Sequence, residues 1–548
     1  MTMLRLALFT SGFGLLALGA GCTAEFTADG ETGGAGGMGG AAGVGGTAGT
    51  GGAAGTAGSA GAAGAASAGG TGGAGGTGGS CNGAATPSED SCVVTEDYGV
   101  FVSPKGDDAT ADGSKGAPYA TLEAGLAAAY AAGKRVYACS TEGEFKPNGN
   151  LLVIDDSLSG SQLYGGLDCE SWEYDATKPT AVVGDYAALY VNGVKGGLRI
   201  EDFSFRAVDQ TQNSSIGALV KDSDGVLFKR VQFIAGKGAD GQDGVAGQQG
   251  DPGTPPSDGQ RGKSASCTTA PASQSGGVWE SQSACGSLGG EGGTARKNQA
   301  SGAGLAGLPT SNVVPSGGHD NGGGAATVFG LNGTSGTEGA QGENGSNGAA
   351  SATLGTFHQD GYDPPSAPAG SDGSVGQGGG GGGASAGDGI CVGASGGAGG
   401  MGGCGGGHGT GGMGGHASVA LLVWQSTTTL TDCYLESADG GVGGKGGDGA
   451  GGGTGGSGAN GGTNVTGVGK GGNGGVGGDG GNGGSGAGGA GGPSYGLVYA
   501  GTKPAETNSC TFKVGSGGLG GHGGRLGGNL NPAPDGMSGE SGEIYEQL

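Results

Sequence analysis

Cysteine is the residue type whose number and placement carry most of the chemistry open to this chain. Beyond Cys22 there are ten: Cys81, Cys92, Cys139, Cys169, Cys267, Cys285, Cys391, Cys404, Cys433 and Cys510. An even number behind an export segment points to disulfides. Closeness along the chain predicts the pairs Cys81 with Cys92, Cys139 with Cys169, Cys267 with Cys285, and Cys391 with Cys404. Cys433 and Cys510 hold equivalent places in two repeated segments and are expected to stack, bonded or merely packed. No Cys-x-x-Cys occurs, which argues against zinc. The histidines, His319, His358, His408, His416 and His522, all lie in glycine-rich stretches. Asp107, Asp108 and Asp112 crowd one loop without a glutamate to close a cation cage, so a solvated turn is expected. With 152 Gly in the chain, a GxGxxG match carries no phosphate signal. No catalytic residue, cofactor or metal is expected.

The elements that must position these residues repeat. The segment 417–447, ASVALLVWQSTTTLTDCYLESADGGVGGKGG, runs from a β-rich stretch into a glycine ladder. Ungapped copies of its β-rich part stand at 189–205, 217–233 and 496–512. Their shared columns are Phe205, Phe233, Leu435 and Phe512; Phe203, Val231, Cys433 and Cys510; Ile200, Phe228, Leu430 and Thr507; and Val191, Leu219, Leu421 and Val498. A spacing of two puts both side chains on one face of a strand, so each copy reads as one turn of a β-solenoid. In a solenoid each repeat touches only its neighbours, and inserts can leave from one corner without breaking the stack. The reading is therefore all-β, a short solenoid with glycine-rich insertions.

Composition limits the rest. A third of the residues are hydrophobic and 5% aromatic, too few to fill several cores at this length, so the core is confined to the copies and the segment before them. The net charge of -25 repels phosphate backbones, and nucleic acid is excluded as an expected partner.

The chain divides as follows. Residues 1–21 read as an export signal with Arg5 ahead of an apolar run from Leu6 to Leu18, too short to span a bilayer. Residues 22–80 read as a flexible tether, almost wholly Gly, Ala, Thr and Ser from Gly33 to Ser80. A cysteine-containing linker at 81–97 leads to the cap and first coils at 98–235. An insertion at 236–416, a coil at 417–439, an arm at 440–493, a coil at 494–514 and a glycine-rich C-terminal arm at 515–548 complete it. In the arms glycine recurs every third residue, as at 238–253, 330–348, 440–461 and 471–492. That is the repeat of a polyproline-II-type helix. Collagen needs far more proline, which leaves disorder or a bundle of polyglycine-II helices. Arms leaving one corner of successive coils start ~4.8 Å apart, within reach of backbone pairing. In such a bundle one-glycine runs belong at the edge and GGx runs inside.

Several stretches resemble known families. LALGAGC at 16–22 resembles the lipobox of bacterial lipoproteins, although Gly19 stands where Leu is commonest; this implies acylation of Cys22, and Thr23 after it is compatible with the outer membrane. Val100 to Ala132, with its Gly/Asp loop, P-x-A-T and Ala-rich helix, resembles the N-terminal cap of right-handed parallel β-helix proteins of the pectate-lyase-like superfold. Gly407-His408-Gly409 and Gly521-His522-Gly523 match the G-H-G of polygalacturonases on that superfold, but no Asn-Thr-Asp or Arg-Ile-Lys accompanies them. GGVGGDGGN at 474–482 is similar to the calcium nonapeptide of repeat toxins and occurs once. The whole is similar to glycine-rich, PGRS-like surface proteins of bacteria. The expected function is non-enzymatic: a lipid-anchored protein of the outer membrane or cell surface with a structural or adhesive role. Its expected partners are the membrane through the anchor and envelope polysaccharide or a neighbouring cell surface. The alternatives are a glycan-binding or polysaccharide-cleaving β-helix, with Trp424, Tyr434 and Tyr499 as stackers, and ice or surface binding by the arm bundle.

Overall fold

Short runs of Val, Ile, Leu, Phe and Tyr separated by Gly, Asp and Asn favour strands broken by tight corners, and strands are what they form. The computed structural model describes residues 81–310, 319–526 and 531–548; the expected signal, Cys22 and the tether lie outside the described residues. Seventeen strands make three parallel sheets. From Leu152 onward the chain visits them in fixed rotation. Ala187–Asn192 lies in the third sheet, Leu198–Glu201 in the first and Phe203–Ala207 in the second. Ser215–Lys221, Val226–Lys229 and Gln232–Ala235 repeat the circuit, as do Ser418–Trp424, Thr428–Thr431 and Tyr434–Ser437. A fourth circuit runs through Ser494–Ala500, a bridge at Ala505 and Thr511–Val514. One left-handed residue, Asp202, Arg230 or Asp432, turns each of the first three from the first sheet to the second.

The file nearest the arms is as expected: Phe205 pairs with Phe233, Phe233 with Leu435, and Leu435 with Phe512. Phe205 and Phe233 stack with centroids 6.3 Å apart in the interior cluster. Two other columns need correction. In the third sheet Val191 pairs with Val220, Leu219 with Leu422, and Leu421 with Leu497. Val191 and Leu421 therefore face inward, while Leu219 and Val498 belong to the cluster on the outer face. The cause is corner length: 193–197, 222–225 and 425–427 are five, four and three residues. A one-residue slip reverses every side chain. Thr507 leaves its column because Thr429 bridges Ala505, and Thr507–Ser509 forms a 3-10 turn.

The helix Leu122–Ala132 packs Leu122, Leu126 and Ala129 onto the interior cluster beside the first strands. Thr121 caps its start and the left-handed Gly133 its end. The glycine-rich segments leave after Gln232–Ala235, Tyr434–Ser437 and Thr511–Val514, always between the second sheet and the third. The last segment does not remain an arm: Ser541–Glu546 returns as the sixth strand of the third sheet, pairing with Ser494–Ala500.

Candidate functional site

Two surfaces carry the chemistry the fold can offer. The first is the set of glycine arms. Gly241, Gly244, Gly247 and Gly250 donate their N–H groups to the carbonyls of Val442, Lys445, Asp448 and Gly451 at 2.7–2.9 Å, a parallel ladder with one bond per three residues. Segment 395–416 accepts in the same rhythm from 440–462 and donates to 472–490 and 239–251. Its close approach on several sides demands glycine: a Cβ on Gly402 would meet the Gly376 carbonyl, and one on Gly403 the Gly453 carbonyl. Residues 391–404 are all buried, whereas the one-glycine run 238–253 leaves Val245 71% exposed, the edge-and-interior order expected.

The third residue of each triad has an N–H that the glycine ladder does not use, and short polar side chains take it up. Asp240 accepts from Val442 N, Asp243 from Lys445 N, Asn344 from Asn482 N and Asn347 from Ser485 N, at 2.7–2.9 Å. Within the nonapeptide-like stretch, Asp479 and Asn482 accept from Gly455 N and Gly452 N. These side chains are spent on arm pairing. Their recurrence at the third position of each triad was the signal that sequence reading missed. The outward positions of 440–461 are Val442, Lys445, Asp448, Thr454, Ser457 and Asn460, a mixed set.

The second surface is the outer face of the third sheet, where Tyr190, Leu219, Leu422, Val498 and Tyr545 stand in register across five strands. A hairpin from the long insertion, Thr356–His358 with Gly361–Asp363, lies on this apolar face through Phe357 and Tyr362. Phe357 sits 4.9 Å from Tyr362, 6.0 Å from Tyr495 and 5.7 Å from Tyr545, centroid to centroid. Two clefts share Tyr362. One, about 360 Å³, is lined by Leu354, Phe357, Tyr495, Glu540 and Tyr545; the other, about 370 Å³, by Tyr186, Asn213, His358, Asp360, Asp363 and His416. Burial pushes the Tyr362 and Tyr495 phenols up, so both stay protonated donors, to the Leu354 carbonyl and to Glu540 respectively.

In the second cleft the Asp360 N–H donates to His358 Nδ1 at 3.2 Å, leaving Nε2 to face Asp363 at 3.4 Å. Burial holds His416 below its ordinary value, and Asp363 pulls the other way. Lys221 pairs with Asp360 at 3.0 Å. No family model matches the chain, and no curated protein or solved structure matches it. The other histidines sit apart, His408 against Asp372 at 2.6 Å and His522 against Asp535 at 3.3 Å. Of the three stackers named from sequence, Trp424 packs at the outer cluster, Tyr434 lies on the second sheet bonded to Glu436, and Tyr499 joins the interior. Asp107, Asp108 and Asp112 cap turns, Asp108 taking the N–H groups of Ala120 and Thr121.

Four disulfides form among the described residues, which suits an oxidising, extracytoplasmic compartment. Cys81–Cys92 and Cys139–Cys169 are the expected pairs. The other two are corrections: Cys267 bonds Cys391 and Cys285 bonds Cys404, each joining the far part of the insertion to the buried arm. Among the described residues, the only groups close enough to hold a metal centre on Cys81–Cys92 and Cys139–Cys169, whose sulfurs are already bonded to each other. No helix among the described residues is long and apolar enough to cross a membrane.

Proposed function

We propose that the chain is a non-enzymatic protein of the bacterial envelope, anchored through acylated Cys22, in which a right-handed parallel β-helix carries a bundle of polyglycine-II helices with a structural or adhesive role. The rotation of the chain through three parallel sheets supports the β-helix, and parallel crossovers are right-handed almost without exception. The one-in-three ladder supports the polyglycine-II reading. The observation that carries the functional reading is the investment of the long insertion and both arms in one dense block of backbone hydrogen bonds. Such a block serves to project and to pack. The test is adhesion: beads coated with the exported chain should bind intact cells or envelope polysaccharide, and a variant with Gly402 and Gly403 changed to valine should not. Equal binding by both would remove the bundle from the function.

A glycan-binding reading draws on the two aromatic-walled clefts, since pyranose rings stack on tyrosine faces and their hydroxyls suit Glu540, Asp360 and Asn213. A polysaccharide array probed with the wild type and with Tyr186→Ala and Glu540→Gln variants tests it, and signals that ignore both substitutions would dismiss it. The mixed outward residues of 440–461 do not repeat one side chain at a fixed spacing. That favours adhesion over ice binding, for which thermal hysteresis is the assay.

A further inference from the structure

Cys433 and Cys510 are the free cysteines among the described residues. Tyr434 pairs with Thr511, so the cysteines just before them stand opposite one another in adjacent parallel strands. The Thr511 N–H donating to the Cys433 carbonyl at 2.9 Å fixes that register. Strand spacing puts their Cα atoms roughly 4.8 Å apart, inside the ~4.4–6.8 Å window of disulfide-bonded cysteines. Their surroundings differ. Cys433 is buried in the interior cluster, with Sγ 3.5 Å from the carbonyls of Phe228 and Thr431. Cys510 is half-buried in the last circuit, with Sγ 3.6 Å from the Leu430 carbonyl, and its neighbour Thr511–Val514 is the edge strand of the second sheet.

We propose that Cys433 and Cys510 form an oxidisable dithiol, a site of thiol–disulfide exchange that latches the last circuit to the one before it. The co-reactant is a disulfide, RSSR, of the oxidising compartment. Cys510 as thiolate attacks one sulfur of RSSR, forming a mixed disulfide and expelling RS⁻. Cys433 then gives up its proton and attacks Cys510 Sγ, forming the Cys433–Cys510 bond and expelling the second RS⁻. The dithiol loses two electrons and two protons, and RSSR takes up both to become two RSH.

The order of attack follows from the asymmetry of the pair. The hydrogen bond from Cys433, aided by Ser509, pulls the Cys510 thiol below its ordinary value, while the same contact and burial push Cys433 up. Asp432, next to Cys433 in the chain, opposes ionisation of both without reversing that order. The more exposed sulfur is thus also the better nucleophile. In-register side chains on parallel strands point the same way, which leaves their Cβ atoms near the strand spacing of ~4.8 Å, wider than the ~3.5–4.5 Å a relaxed disulfide prefers. The bond is therefore expected to reduce more readily than a structural disulfide.

The experiment uses the full exported chain, titrated under native conditions with the aromatic disulfide DTNB and followed by mass spectrometry and peptide mapping, so that any thiol at Cys22 is scored separately. The expected result for the pair is release of two thionitrobenzoate ions, no retained adduct, and a loss of two hydrogens. Cys433→Ser should release one ion and keep the adduct on Cys510, and Cys510→Ser should react about tenfold more slowly or less. If the chain is isolated already oxidised, a mild dithiol should free this pair while the other four disulfides persist, which supports the same reading. A stable adduct on wild-type Cys510, or failure of both thiols to react after mild reduction, would overturn it.

Discussion

At the scale of single residues the parallel sheets are held by groups the sequence presents as ordinary surface charge. Arg230 turns the chain from the first sheet to the second in a left-handed conformation that a long side chain rarely adopts. It is held there by bonds from Nε and Nη2 to Asp202 at 2.7 and 2.8 Å and from Nη2 to buried Glu201 at 2.8 Å. Removing the guanidinium leaves buried Asp202 with the Tyr174 hydroxyl and no cation, while Glu201 keeps its pair with Arg199. Arg230→Ala should therefore lower stability by about 3–5 kcal/mol, read as a shift in the urea midpoint. The arm side chains act more gently. Asn482→Ala leaves Gly452 N without its acceptor and should cost about 1 kcal/mol, with faster amide exchange confined to the neighbourhood of Gly452. A change of melting temperature without that local signature would contradict the role given to Asn482.

At the scale of elements, glycine decides whether an arm can lie inside the bundle. Alanine at Gly403 drives its Cβ into the Gly453 carbonyl, whereas alanine at Gly451 meets only the end of the Gln249 side chain at 3.1 Å. Gly403→Ala is expected to cost about 1–3 kcal/mol and to strip exchange protection from 395–416 and 440–462, with Gly451→Ala close to wild type. The hairpin over the third sheet gives a pH signature. A base whose folded pKa lies below its ordinary value near 6.5 binds fewer protons folded than unfolded, so His416 is neutral to stability above that pH and increasingly unfavourable below it. Protection factors at Thr356–His358, corrected for the intrinsic exchange rate, should fall as pH drops below 6.5, and His416→Gln should flatten that fall.

Elements also show what was legible beforehand. The file of Phe205, Phe233 and Leu435 was readable because paired positions keep one offset through three circuits, Leu198 to Phe205, Val226 to Phe233 and Thr428 to Leu435. The file through Val191 was not, because corners of five, four and three residues change register without leaving any mark in an ungapped comparison. The final strand, SGEIYE, hides behind its glycine. The aromatic clefts depend on Phe357 and Tyr362 returning from an insertion far along the chain, a placement that no local spacing encodes.

At the scale of the whole molecule the disulfide pattern follows from how the arms fold back. Two cysteines near in sequence, such as Cys267 and Cys285, are carried apart when the chain runs out along a bundle, while positions over a hundred residues distant return alongside. Cys267–Cys391 and Cys285–Cys404 close loops of 124 and 119 residues, against 11 for Cys81–Cys92. The entropy removed from the unfolded chain grows with loop length, roughly 4–5 kcal/mol for each long loop and under about 3 for the short one. Both long crosslinks lie in the bundle, and neither touches the three sheets. Cys267→Ser with Cys391→Ser should therefore lower the unfolding midpoint more than Cys81→Ser with Cys92→Ser, and should release the insertion to protease while the strands of the third sheet keep their exchange protection. Loss of protection in bundle and sheets together would mean that the two unfold as one cooperative block, with the glycine arms buttressing the three sheets.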